Sequence, residues 1–270
     1  MQPILAAGAA VLGWSLFEAQ WVEFIEIDVP LQRLPPELDG FTIVHLSDFH
    51  LGTVSLSART LDRAVSWARE QEPDVVVLTG DLLSRQRGES ALRRGIEGLR
   101  PRYGTFAVLG NHDVDATRDP FSTPTDASAL SEAGAVLLED SSANFEVNGR
   151  RIQVVGGDPR RGWKAARLTR LADSDADLRI LLFHFPDVTE RLPPGAFDLV
   201  LAGHLHGGQI CLPAPQGKLR LEHLRARHWE GLHETPAGML YVSRGLGTSF
   251  VPFRFLARPE ATKLVLRSTG

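Results

Sequence analysis

The chain has a single cysteine, Cys211, in 270 residues. That scarcity excludes an internal disulfide framework and any zinc site built from several thiolates. Lysine is almost as rare, at 3 residues against 26 arginines. Guanidinium groups suit phosphate recognition, although an arginine bias also arises from codon usage. There is no basic excess: 29 Lys+Arg against 33 Asp+Glu give a formal net charge of -4, so the field that draws proteins to nucleic acid is missing. Nor is there an uninterrupted apolar run of membrane-spanning length. The amino-terminal stretch Ile4 to Phe17 has 14 residues and reaches the ~20 of a spanning helix only by admitting Glu18 and Gln20. It lacks a basic n-region and a small-residue cleavage site, which argues against a standard secretory signal.

What remains is ordinary for a globular protein, with 43% apolar and 23% charged residues. The expected organisation is an amino-terminal apolar segment and linker over residues 1–33, then one α/β domain over 34–270. The apolar segment is expected to form a short helix that inserts into or lies on a membrane, with Trp14 and Trp21 at the interface. That places the protein at the inner (cytoplasmic) membrane. A helix packed on a soluble cytoplasmic protein is the alternative.

From Phe41 onward the pattern is regular. Short apolar runs at Phe41 to Leu46, Val75 to Thr79, Thr105 to Leu109, Ile152 to Val155, Ile180 to Phe183 and Leu199 to Ala202 read as buried strands. Helix-compatible stretches such as Ser57 to Glu70 lie between them, which predicts a layered α/β fold. Two later runs, Met239 to Val242 and Thr262 to Leu266, lack crossover helices and predict antiparallel pairing.

The polar residues fall at the carboxyl ends of these strands, where open α/β sheets form their ligand crevice. Asp48 and His50 follow the first strand, Asp81 the second, Asn111, His112 and Asp113 the third. His184 follows the strand Ile180 to Phe183, and AGHLHGGQI carries His204 and His206 after another. Singly, Asp48 could cap a helix, Asn111 hold a turn and His184 sit satisfied in a core. Together, five strand ends bearing His, Asp or Asn define one site. Carboxylate and amide oxygens mixed with imidazoles fit two divalent ions, manganese foremost with iron or zinc as alternatives. Asp81 is the natural bridging carboxylate for such a pair.

The series D-x-H (Asp48, His50), G-D (Gly80, Asp81), G-N-H-D (Gly110 to Asp113), His184 and G-H-x-H (Gly203 to His206) resembles the calcineurin-like metallophosphoesterase superfamily over about residues 41–268. The resemblance implies a four-layer α/β/β/α sandwich of two mixed sheets. It assigns one ion to Asp48, His50, Asp81 and His206, the other to Asp81, Asn111, His184 and His204, and makes His112 the catalytic histidine. It also implies attack on a phosphodiester or pyrophosphate by a hydroxide bridging the ions. The chain departs from the protein serine/threonine phosphatases, whose G-D-x-x-D-R-G supports the catalytic histidine. Here the sequence reads GDLLSRQ, with Ser84 at the second Asp, and GNHD replaces GNHE, so the partner of His112 is open and Asp113 is one candidate.

The ending is similar to a narrower bacterial branch of membrane-associated phosphodiesterases that includes the UDP-2,3-diacylglucosamine hydrolases of lipid A synthesis. GHLHGGQICLP and SRGLGTSFVPFRF (Ser243 to Phe255) carry that resemblance. It implies a phosphorylated small-molecule or lipid substrate. Arg244 in the second stretch is a candidate phosphate-binding residue, the alternative being a tight loop that closes the sheet. Another phosphodiester of small or cell-envelope origin, or a non-catalytic scaffold, are the competing functions. Outside the site, His45 is expected to pack in the core, His223, His228 and His233 to lie in a surface loop or lid, and Arg150, Arg151, Arg160, Arg161 and Lys164 to form a solvated basic face or a headgroup site.

Overall fold

Strand β3 (Val75–Thr79, VVVLT) is buried along its whole length, because both of its faces are covered. Its side chains alternate between two cores: Val75 and Val77 point into a layer between two sheets, Val76 and Leu78 into a layer under helices. Strand β2 (Thr42–Leu46) repeats the pattern, with Ile43 between the sheets and Val44 and Leu46 under the helices. Each fully buried Val or Leu contributes roughly 1.5–3 kcal/mol. The structure is a computed structural model and describes every residue except Met1, Asp115, Ala116, Pro124, Gly162, Trp163, Lys164, Gln216 and Gly270; the side chains of Gln2, Pro3 and Ile4 are likewise outside the description.

The first sheet has the order β1-β14-β2-β3-β4-β5, with β1 at Glu23–Leu31, β4 at Gly104–Val108, β5 at Ala135–Leu137 and β14 at Glu260–Ser268. Helices α2 (Ser57–Glu70), α3 (Glu89–Gly98) and α4 (Ser128–Glu132) connect its parallel strands, and Leu61, Ala64, Val65, Leu92, Ile96 and Leu130 pack on its outer face. The second sheet has the order β12-β13-β9-β8-β7-β6. These strands are β6 (Ser141–Val147), β7 (Arg150–Gly156), β8 (Leu178–Leu182), β9 (Leu199–Ala202), β12 (Gly231–Thr235) and β13 (Gly238–Val242). Leu181 and Val200 face a third core shared with Ala165 and Leu168 of α5 (Ala165–Leu171). The architecture is thus the expected α/β/β/α sandwich of two mixed sheets. A small hairpin, β10 (Cys211–Ala214) and β11 (Gly217–Arg220), stands apart.

Three expectations need correction. The two late strands do not pair only antiparallel: β13 is antiparallel to β12 and parallel to β9, while β14 is antiparallel to β2 and parallel to β1. The passage read as linker contains β1, whose nine residues pair in register with Glu260 to Ser268. The membrane-associated reading is overturned, because no helix among the described residues is long and apolar enough to cross a membrane. Helix α1 (Gln2–Glu18) ends where Glu18 turns inward; its carboxylate is buried and accepts Ala257 N at 2.7 Å and Trp14 Nε1 at 3.0 Å. Trp21, expected at a bilayer interface, lies under the Arg258 guanidinium at 3.9 Å from the ring centroid.

The basic cluster is a paired surface. Arg150 bonds Glu37 and Asp177, Arg151 bonds Asp173, and Arg160 and Arg161 surround Asp158. Lys164 lies outside the described residues.

Candidate metal centre

Five strands, β2, β3 and β4 from the first sheet and β8 and β9 from the second, point their carboxyl ends at one place. There the backbone of the polar residues is unusual: Asp48, His50, Asp81, His204 and His206 have φ of 53°, 47°, 53°, 75° and 49°. This left-handed region costs non-glycine residues of order 1–3 kcal/mol each, and such strain persists where the surroundings impose it. Glycines make room. A Cβ on Gly110 would sit 2.1 Å from Asp81 Oδ1, and one on Gly203 2.3 Å from Asp48 Oδ2.

Asp48, His50 and His206 converge, with His50 Nε2 3.1 Å from His206 Nε2 and His206 Nε2 3.3 Å from Asp48 Oδ1. Asp81, His184 and His204 converge likewise, with His184 Nε2 3.2 Å from Asp81 Oδ2 and His204 Nδ1 3.2 Å from His184 Nε2. Asp81 Oδ2 joins the two sets, lying 3.6 Å from His50 Nε2 and 3.9 Å from His112 Nε2. Such short separations between nitrogen lone pairs are those of a cation's donor shell. The amide oxygen of Asn111 fits the same purpose: it is buried and has no hydrogen-bond partner, a cost that a cation would remove. Oxygen and imidazole donors without thiolate complete a set suited to a divalent ion. His112 falls within the same spacing, in a group with His50 and Asp81, so distance alone does not separate ligand from catalytic group.

Electrostatics favour cation loading. Burial alone would raise both carboxyls, but His206 beside Asp48 and His184 and His112 around Asp81 hold them below the usual carboxylate range. Burial keeps His50 and His204 well below the usual imidazole value. The two ionised carboxylates and the neutral rings of His50 and His204 are ready-made ligands, whereas His184, which burial pushes down but Asp81 lifts to about 9, must give up its proton to bind a cation.

Supporting residues show what the sequence concealed. His112 Nδ1 is 2.7 Å from Ser122 Oγ and its Nε2 3.1 Å from Thr117 Oγ1. Asp113, the candidate partner, instead accepts the N–H groups of Leu82, Leu83 and Gly110, and burial together with Asp81 lifts its carboxyl to about 7. Ser84 holds His50 at 3.0 Å rather than His112. His184 Nδ1 is fixed by Thr79 O at 2.7 Å. Arg244 stands against the phosphate-binding expectation: its guanidinium is engaged by Glu260 and, at 2.8 Å, by Glu23, which makes it part of a closing loop. The arginine that the sequence did not single out is Arg254, fully buried, which donates to the carbonyls of Gly247, His206, Ala257, Arg244 and Gly245. His45 is a core residue bonded to Thr79 Oγ1, and His223 stacks edge-on at 5.0 Å from His204 at the mouth.

Residues 41–208 match the calcineurin-like phosphoesterase family, a span that includes each of these convergent residues. The chain belongs to that family. As a metallophosphoesterase it is a metal-dependent hydrolase of phosphoesters. It is similar to the uncharacterized metallophosphoesterase YkuE of Bacillus subtilis, 30% identical over 98% of this chain and 94% of that one. It is also similar to the phosphodiesterase YaeI of Escherichia coli, 32% identical over 84% of this chain and 82% of that one. A putative 5'-nucleotidase structure from Staphylococcus aureus superposes with TM-score 0.47 at 12% identity, covering 85% of this chain and 55% of that one.

Proposed function

We propose that this metallophosphoesterase is a phosphodiesterase that holds two divalent ions, manganese foremost. Asp48, His50, Asp81 and His206 would hold one, and Asp81, Asn111, His184 and His204 the other. The position of Asp81 Oδ2 between both sets of imidazoles carries the reading, supported by the orphaned amide oxygen of Asn111. When bound, the ions supply an acidified water and offset charge on the phosphoryl oxygens.

The remaining work falls to the chain. His112 sits at the edge of the cluster with its Nδ1 held by Ser122, so its Nε2, in exchange for the longer contact with Thr117, is the nitrogen that would bond a phosphoryl or leaving-group oxygen and donate a proton there. Burial lowers its pKa, which makes the protonated ring a stronger acid. The glycines at 110 and 203 leave the space that the carboxylates of Asp81 and Asp48 occupy. The similarity to YaeI and the resemblance of the carboxyl-terminal stretch favour a diester or pyrophosphate, with UDP-2,3-diacylglucosamine as the specific lipid candidate.

The test is hydrolysis by manganese-loaded protein of bis-p-nitrophenyl phosphate, p-nitrophenyl phosphate and UDP-2,3-diacylglucosamine. The reading expects diester or pyrophosphate cleavage to exceed monoester cleavage. It also expects His112→Ala to lower the rate by about 100-fold or more while the ions stay bound. Monoester preference would overturn it.

A further inference from the structure

Beside the metal centre lies a largely apolar slot of 270 Å³, lined by Val54, Phe121, Thr248, Phe250, Val251 and Pro252. A second hollow of 280 Å³ adjoins it, lined by the same Val54, Ser55, Thr248 and Pro252 and by Leu56 and Leu16. Each wall starts at the catalytic cluster. Thr53 Oγ1 donates to His50 O, Phe121 precedes the Ser122 that holds His112, and Thr248 follows the Gly247 whose N–H donates to Asp48 O.

The apolar side chains there are held open to solvent rather than folded in. Val54 is 82% exposed, Phe121 48% and Phe250 44%. Phe250 has φ of 57°, a left-handed conformation that a bulky aromatic residue avoids. The buried carboxylate of Asp119 fixes it there by accepting Phe250 N at 3.0 Å, which ties the two opposite walls together. Exposed apolar side chains bordering a cleft mark a ligand surface, and an elongated apolar trough next to a phosphoester-cleaving centre fits one shape.

We infer that the trough seats an unbranched alkyl chain carried by the phosphoester, so that this phosphoesterase selects substrates with such a chain. The inference rests on the phosphodiesterase reading above. Each methylene buried in the trough strengthens binding by about two- to fourfold, the upper figure being full transfer from water.

The experiment uses methyl, butyl and octyl p-nitrophenyl phosphodiesters with manganese-loaded protein, and calorimetry of methyl phosphate against octyl phosphate. Wild type is expected to show kcat/KM rising at least tenfold from methyl to octyl, and octyl phosphate binding at least tenfold tighter than methyl phosphate. Phe250→Asn should flatten both trends while leaving methyl ester cleavage within about twofold, since asparagine tolerates the left-handed backbone. Val54→Asn, at an exposed position, should do the same, and a melting curve checks that each variant folds. A flat chain-length profile in wild type, or an unchanged slope in both variants, overturns the trough. No cleavage of any diester by wild type overturns the phosphodiesterase reading, and the alkyl selectivity with it.

Discussion

Replacing Gly203 by alanine should cripple the metal centre without replacing any of its proposed ligands. Its backbone is open to alanine, so space decides the outcome: the new Cβ would lie 2.1 Å from Ser47 Oγ and 2.3 Å from Asp48 Oδ2, where ordinary contacts begin at 3.4 Å. Both neighbours are fully buried, and Ser47 Oγ is held by Thr79 Oγ1 at 2.7 Å, so neither side chain can swing into solvent. The overlap of about 1 Å must be absorbed by moving Asp48 or the turn that carries His204, and a 1 Å misplacement costs on the order of 100-fold in rate. Overpacking costs about 1–3 kcal/mol, equivalent to a fall in Tm of roughly 2–10 °C for a chain of this size. The assay is metal content, kcat/KM on a phosphodiester and thermal melting, compared with Gly13→Ala. Gly13 lies inside α1 with nothing within 4 Å of its would-be Cβ, so that substitution should leave activity intact and Tm equal or higher. Full metal content and full activity in Gly203→Ala would refute the packing argument.

Three further outcomes follow from the same geometry. Asn111→Ala should reduce the bound ions by about one per chain, measured by elemental analysis, because it removes a buried amide oxygen that has no hydrogen-bond partner and adjoins His112 in the chain. Ser122→Ala should lower kcat about 10- to 100-fold with metal content unchanged, since it frees the His112 ring rather than a ligand. His184 sets a pH dependence: burial pushes it down, but Asp81 lifts it to about 9 in the metal-free protein. A folded-state value above the unfolded one near 6.5 means that its stabilisation is complete below pH 6.5 and is lost as pH rises through 9. Melting with a chelator should therefore show Tm falling over that window and a smaller fall with manganese, whereas a chelated Tm that rises there would contradict the assignment.

The order of the buried strands and the polar residues at their ends were legible because each depends on a few consecutive residues. A run such as VVVLT followed by GD is local, and the strand it forms delivers Asp81 wherever its neighbours place it. The pairing of β1 with β14 was not legible, since it joins Glu23 to Glu260 across most of the chain and depends on both strands being present. Supporting groups were hidden for the same reason. Ser122 reaches His112, Ser84 reaches His50, and Arg254 reaches carbonyls on both sides of the cluster only after the loops fold. Arg244 misled because a guanidinium in a glycine-rich stretch looks poised for phosphate, while its acidic partners come from distant strands. The amino-terminal run misled because apolar content does not reveal that Glu18 is anchored to Ala257.

The most direct test of the metal centre is the number of divalent ions per chain in wild type and in Asp81→Ala, determined by elemental analysis after loading with manganese and removal of free metal. The account predicts two ions in wild type and loss of at least one in the variant, with diester cleavage abolished, because Asp81 Oδ2 lies 3.6 Å from His50 Nε2 in one set and 3.2 Å from His184 Nε2 in the other. A wild-type chain that retains no ion, or an Asp81→Ala chain that keeps both ions and its full rate, would contradict it.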